Sequence, residues 1–192
     1  KKDRGTGGSL HRNLKRFHKR KQRFSKRSYN IRIPNRVGIE KRPSIVEKRA
    51  RLGDLEADLI QGYRSDGYVL TLIDRFSRYV VLKKLESKKM TEVSTALKDA
   101  ILEIGKAHTL TLDNGREFAS HADISKATGV AIFFAKPYST NDRASVENMN
   151  GLVRYYLPKK TPFKKVTDKK LQQIQNSLNH RPRKCLNFLT PE

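Results

Sequence analysis

Gly53-Asp54-Leu55-Glu56-Ala57-Asp58-Leu59-Ile60 alternates Leu55, Ala57 and Leu59 with Asp54, Glu56 and Asp58, the period of a strand that buries one face. Ser65-Asp66-Gly67 then signals a turn. Two β-rich runs follow, Tyr68 to Ile73 and Tyr79 to Leu85, around Asp74-Arg75-Phe76-Ser77-Arg78, so the three runs read as an antiparallel meander. Thr91 to Ile104 changes period: apolar residues at 93, 96, 97, 100, 101 and 104 make a helical stripe, and Gly105 ends it. His108 to Leu112 is a short strand leading into Asp113-Asn114-Gly115. Glu117 to Thr128 suits a helix stopped by Gly129, and Val130 to Ala135 a further strand. Lys136 to Asp142 is a loop, Arg143 to Leu157 a helix stopped by Pro158, and a last helix lies near Asp168 to Asn179. The order β-β-β-α-β-α-β-α-α predicts an α/β fold, a mixed five-stranded sheet flanked by helices, as in the ribonuclease H-like fold.

Upstream of this region the chain differs in kind. Residues 1–51 hold 19 of the 42 Lys and Arg residues but 3 of the 19 acids, whereas residues 52–192 hold 23 and 16. The first segment reads as a basic, largely irregular arm or linker, and residues 52–192 as the folded core. A formal net charge of +23 asks for a polyanionic partner, because every cation set near a phosphate backbone releases counterions. Neither a spanning run of roughly 20 apolar residues nor a secretory signal is legible, which favours nucleic acid over a membrane. A single cysteine, Cys185, excludes an intrachain disulfide and a thiolate zinc cluster and fits a reducing cytoplasm. The chain does not begin with Met and opens on a basic run, as expected of a piece of a longer protein.

Which acids could converge is the functional question. Asp58 lies on the first strand, Asp113 at the C-terminal end of the fourth, where open sheets place their sites, and Glu147 on the helix after the fifth strand. The 33 residues between Asp113 and Glu147 hold a helix, a strand and a loop, enough to bring the chain back beside the sheet. Carboxylates suit hard divalent ions, and a pair of such ions roughly 3.5–4 Å apart can drive in-line displacement at phosphorus. Glu56 shares a strand face with Asp58, so alternation does not choose between them, and Asp74, Glu117 and Asp142 stay open as candidates. Each acid alone is more simply a surface charge or a turn residue. Arg154 lies two helical turns after Glu147, hence on its face, with Asn150 and Gly151 nearby. Gly151 costs a helix about 1 kcal/mol relative to Ala, which suggests a close approach of something there.

Several segments together resemble a known family. They are Ile33-Pro34-Asn35-Arg36-Val37, Gly53 to Ile60, Thr111-Leu112-Asp113-Asn114-Gly115-Arg116-Glu117-Phe118, Pro137-Tyr138-Ser139, Glu147-Asn148-Met149-Asn150-Gly151-Leu152 and Asn179-His180-Arg181-Pro182-Arg183-Lys184. From about Ile31 to Pro191 the chain is similar to DDE transposases of the insertion-sequence-thirty family, bacterial recombinases with an integrase-like catalytic core. The resemblance favours Asp58 over Glu56 and implies Asp58, Asp113 and Glu147 as catalytic metal ligands for two Mg²⁺ or Mn²⁺ ions. Leu55 stands where the family usually has Trp. Arg154 matches the basic residue seven places after the third acid. With Arg143 and Lys136 it would position DNA phosphates, and Asn150 would join that surface. The family's helix-turn-helix region, which reads the element's ends, is not legible in these residues.

The resemblance implies an enzyme that cleaves and transfers strands of double-stranded DNA, element ends and target alike, as a homo-oligomer in the bacterial cytoplasm near the nucleoid. Two other readings use the same features. A truncated, impaired transposase would bind DNA without cutting it. A nuclease of the same fold would hydrolyse without joining.

Overall fold

The computed structural model describes residues 33–137, 139 and 141–192, with Gly7 and Ser9. The chain divides into two compact units, Lys1–Asn30 and Ile31–Glu192, and the description concerns the second. Most of the basic arm expected over residues 1–51 lies outside the described residues. Its described part, from Ile33, has a short helix α1 (Ser44–Lys48), and Ile33, Arg42 and Val46 are buried.

Five strands form one sheet: β1 (Asp54–Gln61), β2 (Tyr68–Asp74), β3 (Val80–Leu85), β4 (Thr109–Leu112) and β5 (Ala131–Phe134). Their order is β3-β2-β1-β4-β5. The pairs β1–β2 and β2–β3 are antiparallel, as the meander predicts, and β1–β4 and β4–β5 are parallel. Parallel neighbours need crossovers, and these are the helices α2 (Met90–Ile104) and α3 (His121–Thr128). Two more helices close the chain, α4 (Ala144–Tyr156) and α5 (Asp168–Asn179).

Period-two alternation along β1 sorts its side chains into two cores. Leu55 and Ala57 join Leu70, Leu72, Leu110, Leu112 and Phe134, with Val93, Leu97 and Ile101 of α2 and Ile124 of α3. Ile60 joins Val69, Ile73, Val80 and Leu82, with Val146, Met149 and Val153 of α4 and Leu171, Ile174 and Leu178 of α5. Glu56 and Asp58 therefore point to the face that α4 and α5 cover. Gly53, just before β1, sits at φ 92°, and a Cβ there would come within 2.9 Å of the Lys106 carbonyl, so glycine is required where β1 begins.

One feature departs from the sequence reading, and a second is not part of it. The helix expected over Glu117 to Thr128 is broken: a 3₁₀ turn over Arg116–Phe118 sinks Phe118 into the core, and α3 starts only at His121. The edge of β3 is covered by side chains. Asn179 of α5 accepts the Val80 N–H and donates to the Val80 carbonyl, both at 2.9 Å, and Gln175 accepts the Leu82 N–H at 2.7 Å. An edge strand otherwise offers free backbone groups to any passing chain, and these two amides satisfy three of them internally.

Candidate active site

The register of β1 on β4 decides where the first two acids meet. Leu55 pairs with Leu110 and Glu56 with Thr111, and the same parallel register continued by two residues sets Asp58 beside Asp113. Arg143, which caps the N-terminus of α4, spans them: its guanidinium lies 3.3 Å from Asp58 Oδ1 and 3.8 Å from Asp113 Oδ2. Side-chain exposure rises across the cluster, 14% for Arg143, 22% for Asp58 and 36% for Asp113, so the site opens outward at Asp113.

Helix α4 is laid along β1 by three contacts that advance together. Glu56 Oε2 accepts the Val146 N–H at 2.8 Å, Asn150 Nδ2 donates to Asp58 Oδ2 at 2.9 Å, and Arg154 donates to the Gln61 carbonyl at 2.5 Å. Glu147 falls between the first two contacts, one turn after Arg143, so its Cα is held over the Asp58 stretch. Its side chain is exposed, and its carboxylate has no hydrogen bond or ion pair with any described residue. Among the described residues, no three His, Cys, Asp or Glu side chains stand close enough to hold a metal ion as placed. The structure thus gathers Asp58 and Asp113 and leaves the Glu147 carboxylate on the helix beside them.

Burial raises the Asp58 carboxyl, and the charge of Asp113 adds to it. Arg143 and the Leu59 N–H, which donates to Oδ1 at 2.9 Å, pull the other way, and the balance leaves the group pushed up to about 6. An acid this costly to ionise inside its own fold is a common feature of functional sites. Asp113 is held by its own turn, where its Oδ1 accepts the Gly115 N–H at 2.9 Å. Asn114 fixes the loop after β4, taking a hydrogen bond from Arg36 and donating to the Ala135 carbonyl at 2.8 Å.

The competing acids are occupied elsewhere. Glu56 is fully buried and pairs with Arg75 at 3.2 Å besides holding Val146, so it is a structural clamp. Asp74 accepts the N–H groups of Gly53, Phe76 and Ser77 at 2.6–3.0 Å. Asp142 accepts the Lys136 N–H at 3.0 Å. No contact bears on Glu117 as a ligand.

Of the expected DNA-contacting residues, Lys136 is exposed on its loop, while Arg143 and Asn150 are turned to Asp58. Arg154 also lies over the Phe163 ring at 5.4 Å, and burial lowers its proton affinity. Gly151 is exposed, and a Cβ there would meet nothing within 4 Å, so the close neighbour suggested by the sequence is not in the described chain. Two paired carboxylates with oxygen donors facing a shared cation are the donor type that hard divalent ions prefer, so the residues present fit Mg²⁺ or Mn²⁺. Sequence reasoning missed that Arg143 bridges the acids; the spacing Arg143–Glu147–Asn150, one helix face, was the available signal.

Residues 52–140 match the family model of the integrase core domain. Over that stretch the chain is similar to integrase core domains. Similar proteins include the transposase for insertion sequence element IS4351 of Bacteroides fragilis, 42% identical across 98% of the chain and 59% of the relative. The transposase of element IS1086 of Cupriavidus metallidurans is 40% identical over 83% of the chain and 48% of its own length. The transposase InsI of element IS30A of Escherichia coli is 38% identical over 84% and 43%. These relatives bear out the resemblance to the insertion-sequence-thirty transposases, and the chain spans about half the length of the curated relatives it matches. Among solved structures, a chain of a simian T-cell lymphotropic virus intasome superposes on this fold with a TM-score of 0.60 at 19% identity, over 72% of this chain and 52% of that one. That likeness bears out the ribonuclease H-like fold.

Proposed function

We propose that this chain is the catalytic part of an insertion-sequence transposase, cleaving DNA strands and joining the freed 3′ ends to a target. The observation that carries the reading is the half-buried pair Asp58 and Asp113, on β1 and just past the end of the parallel strand β4, sharing one guanidinium. Similarity to transposases supports strand cleavage and joining as the reaction class.

Asp58 and Asp113 would hold Mg²⁺ or Mn²⁺, with Glu147 reaching in from α4 as the third ligand, and two ions are expected. Such ions, when bound, activate the attacking oxygen and stabilise the leaving one in an in-line displacement at phosphorus. The chain's own residues do the rest. Asn150 fixes the Asp58 carboxylate through its 2.9 Å hydrogen bond. Arg143 neutralises both acids in the free protein. Once their charge is taken up elsewhere, its guanidinium is released to a DNA phosphate, with Lys136 and Arg154 flanking it along the duplex. These contacts set register and carry little sequence information. The two element ends must be brought together, so the working form is a homo-oligomer on double-stranded DNA.

A strand-transfer assay on labelled duplex in Mg²⁺ or Mn²⁺ tests the proposal. Cleaved and joined products are expected from the wild type, with both lost in Asp113→Asn. Normal activity in that variant rejects the role given to Asp113. Hydrolysis with no joined product rejects the transposase reading in favour of a nuclease.

A further inference from the structure

A cavity of about 230 Å³ opens on the other flank of α4, away from the acids. It is lined by Arg49, Arg78 and Arg183 together with Ser145, Asn148 and Met149, among others, and no carboxylate is among its lining residues. We infer that this cavity is an anion site that takes a backbone phosphate of DNA, the duplex partner of the proposed function on which this inference rests.

The three arginines come from three separate parts of the chain, and no acid lines the cavity between them; Glu56 and Glu47, paired with other arginines, attract Arg49 more weakly than Arg78 and Arg75 repel it. Arg49 follows α1, Arg78 sits in the β2–β3 turn, and Arg183 lies beyond α5. The Arg49 side chain has no hydrogen bond or ion pair with any described residue, although its backbone N–H donates to the Val46 carbonyl at 3.3 Å. Arg78 donates to the Ser145 hydroxyl at 2.8 Å and Arg183 to the Leu178 carbonyl at 2.8 Å; both acceptors are neutral. The Nε of Arg183 is buried with no hydrogen-bond partner among the described residues. The nearest acids are already committed: Glu47 to Arg42 and Arg75, and Glu56 to Arg75. Arg49 and Arg183 are both held below their ordinary proton affinity, first by burial and then by other arginines, Arg78 among them in each case. Like charges assembled at a half-buried wall repel unless something negative sits among them. Guanidinium groups offer forked donors that match phosphate oxygens, and Ser145 and Asn148 add neutral polar groups at the same wall. The cavity volume admits a phosphate with room for water.

The test uses the 192-residue chain and needs no catalysis, so it survives failure of the strand-transfer reading. Thermal unfolding is followed while inorganic phosphate replaces chloride at constant ionic strength. Arg49→Gln removes one charge and no hydrogen bond, Arg49→Lys restores the charge, and Lys169→Gln removes a charge on the exposed face of α5. Phosphate is expected to raise the melting temperature of wild type, Arg49→Lys and Lys169→Gln, with the half-effect concentration about tenfold higher in Arg49→Gln. Equal phosphate response in Arg49→Gln and wild type overturns the anion site. In the second arm, duplex binding is titrated with salt. The slope of log affinity on log salt should be shallower by about 0.9 in Arg49→Gln, the contribution of one phosphate contact. A lost phosphate response with an unchanged slope overturns the assignment to DNA and leaves a site for a free phosphate compound.

Discussion

Replacing Asp58 by Asn should stabilise the metal-free protein while destroying its proposed activity. The carboxyl is pushed up to about 6 from an ordinary 3.8, so the folded state holds its proton more tightly than the unfolded chain. An acid raised in this way contributes its full stability only below the unfolded pKa. That contribution is lost as pH rises through the window from about 4 to about 6, where the unfolded state releases the proton first. Roughly two pK units at 1.36 kcal/mol each give about 3 kcal/mol, and residual solvent access trims this to about 2–3 kcal/mol. Asn copies the protonated acid. Its oxygen can keep the Leu59 N–H, and its amide can meet Asn150, whose Oδ1 is buried without a partner and turns toward it when the amide flips. At pH 7.5, differential scanning calorimetry without divalent ions should place Asp58→Asn roughly 5–10 °C above wild type, since 1 kcal/mol moves a domain of this size by about 2–4 °C. By pH 4 the gap should shrink below about 1 kcal/mol. Added Mn²⁺ should stabilise wild type and leave the variant unmoved. A variant no more stable than wild type at pH 7.5, or a gap that does not change with pH, would refute the claim that Asp58 is ionised at a cost to the fold.

Three further outcomes follow from the same geometry. Glu56→Ala should lose about 3 kcal/mol in urea unfolding, because it leaves the buried Arg75 guanidinium with its longer 3.4 Å contact to Glu47 alone and strands the Val146 N–H; a loss under about 1 kcal/mol contradicts the clamp. Gly151→Ala should gain about 1 kcal/mol in the same measurement, since a Cβ there has open space and Ala suits a helix; destabilisation would mean a neighbour not seen here. Asn150→Ala frees one Asp58 oxygen and should lower strand-transfer rate roughly tenfold at saturating Mn²⁺ with little change in DNA affinity, by gel shift; an unchanged rate removes Asn150 from the site.

The strand and helix order was legible because each element carries its own period. β1 alternates, and α2 buries Val93, Ala96, Leu97, Ala100 and Ile101 at helical spacing. Helix α5 spans Asp168–Asn179, the expected range. The break before α3 was not legible, because the pull on Phe118 comes from a core built by distant strands. Nor could alternation separate Glu56 from Asp58, which share a face. The difference is in their neighbours: Arg75 and Val146 consume one, while Asp113, Arg143 and Asn150 surround the other. The amides of Gln175 and Asn179 look like ordinary polar helix residues until β3 is seen to need partners. The pairing of Asp58 with Asp113 depends on strand register, which the sequence does not spell out, although both residues were named from motif resemblance.

A crystal of the protein grown with Mn²⁺ and read by anomalous scattering bears most directly on the central claim. The account predicts manganese peaks between the carboxylates of Asp58 and Asp113, with Glu147 turned in from α4 and the Arg143 guanidinium displaced. Manganese bound elsewhere, or Arg143 still seated between the two acids at saturating Mn²⁺, would contradict it.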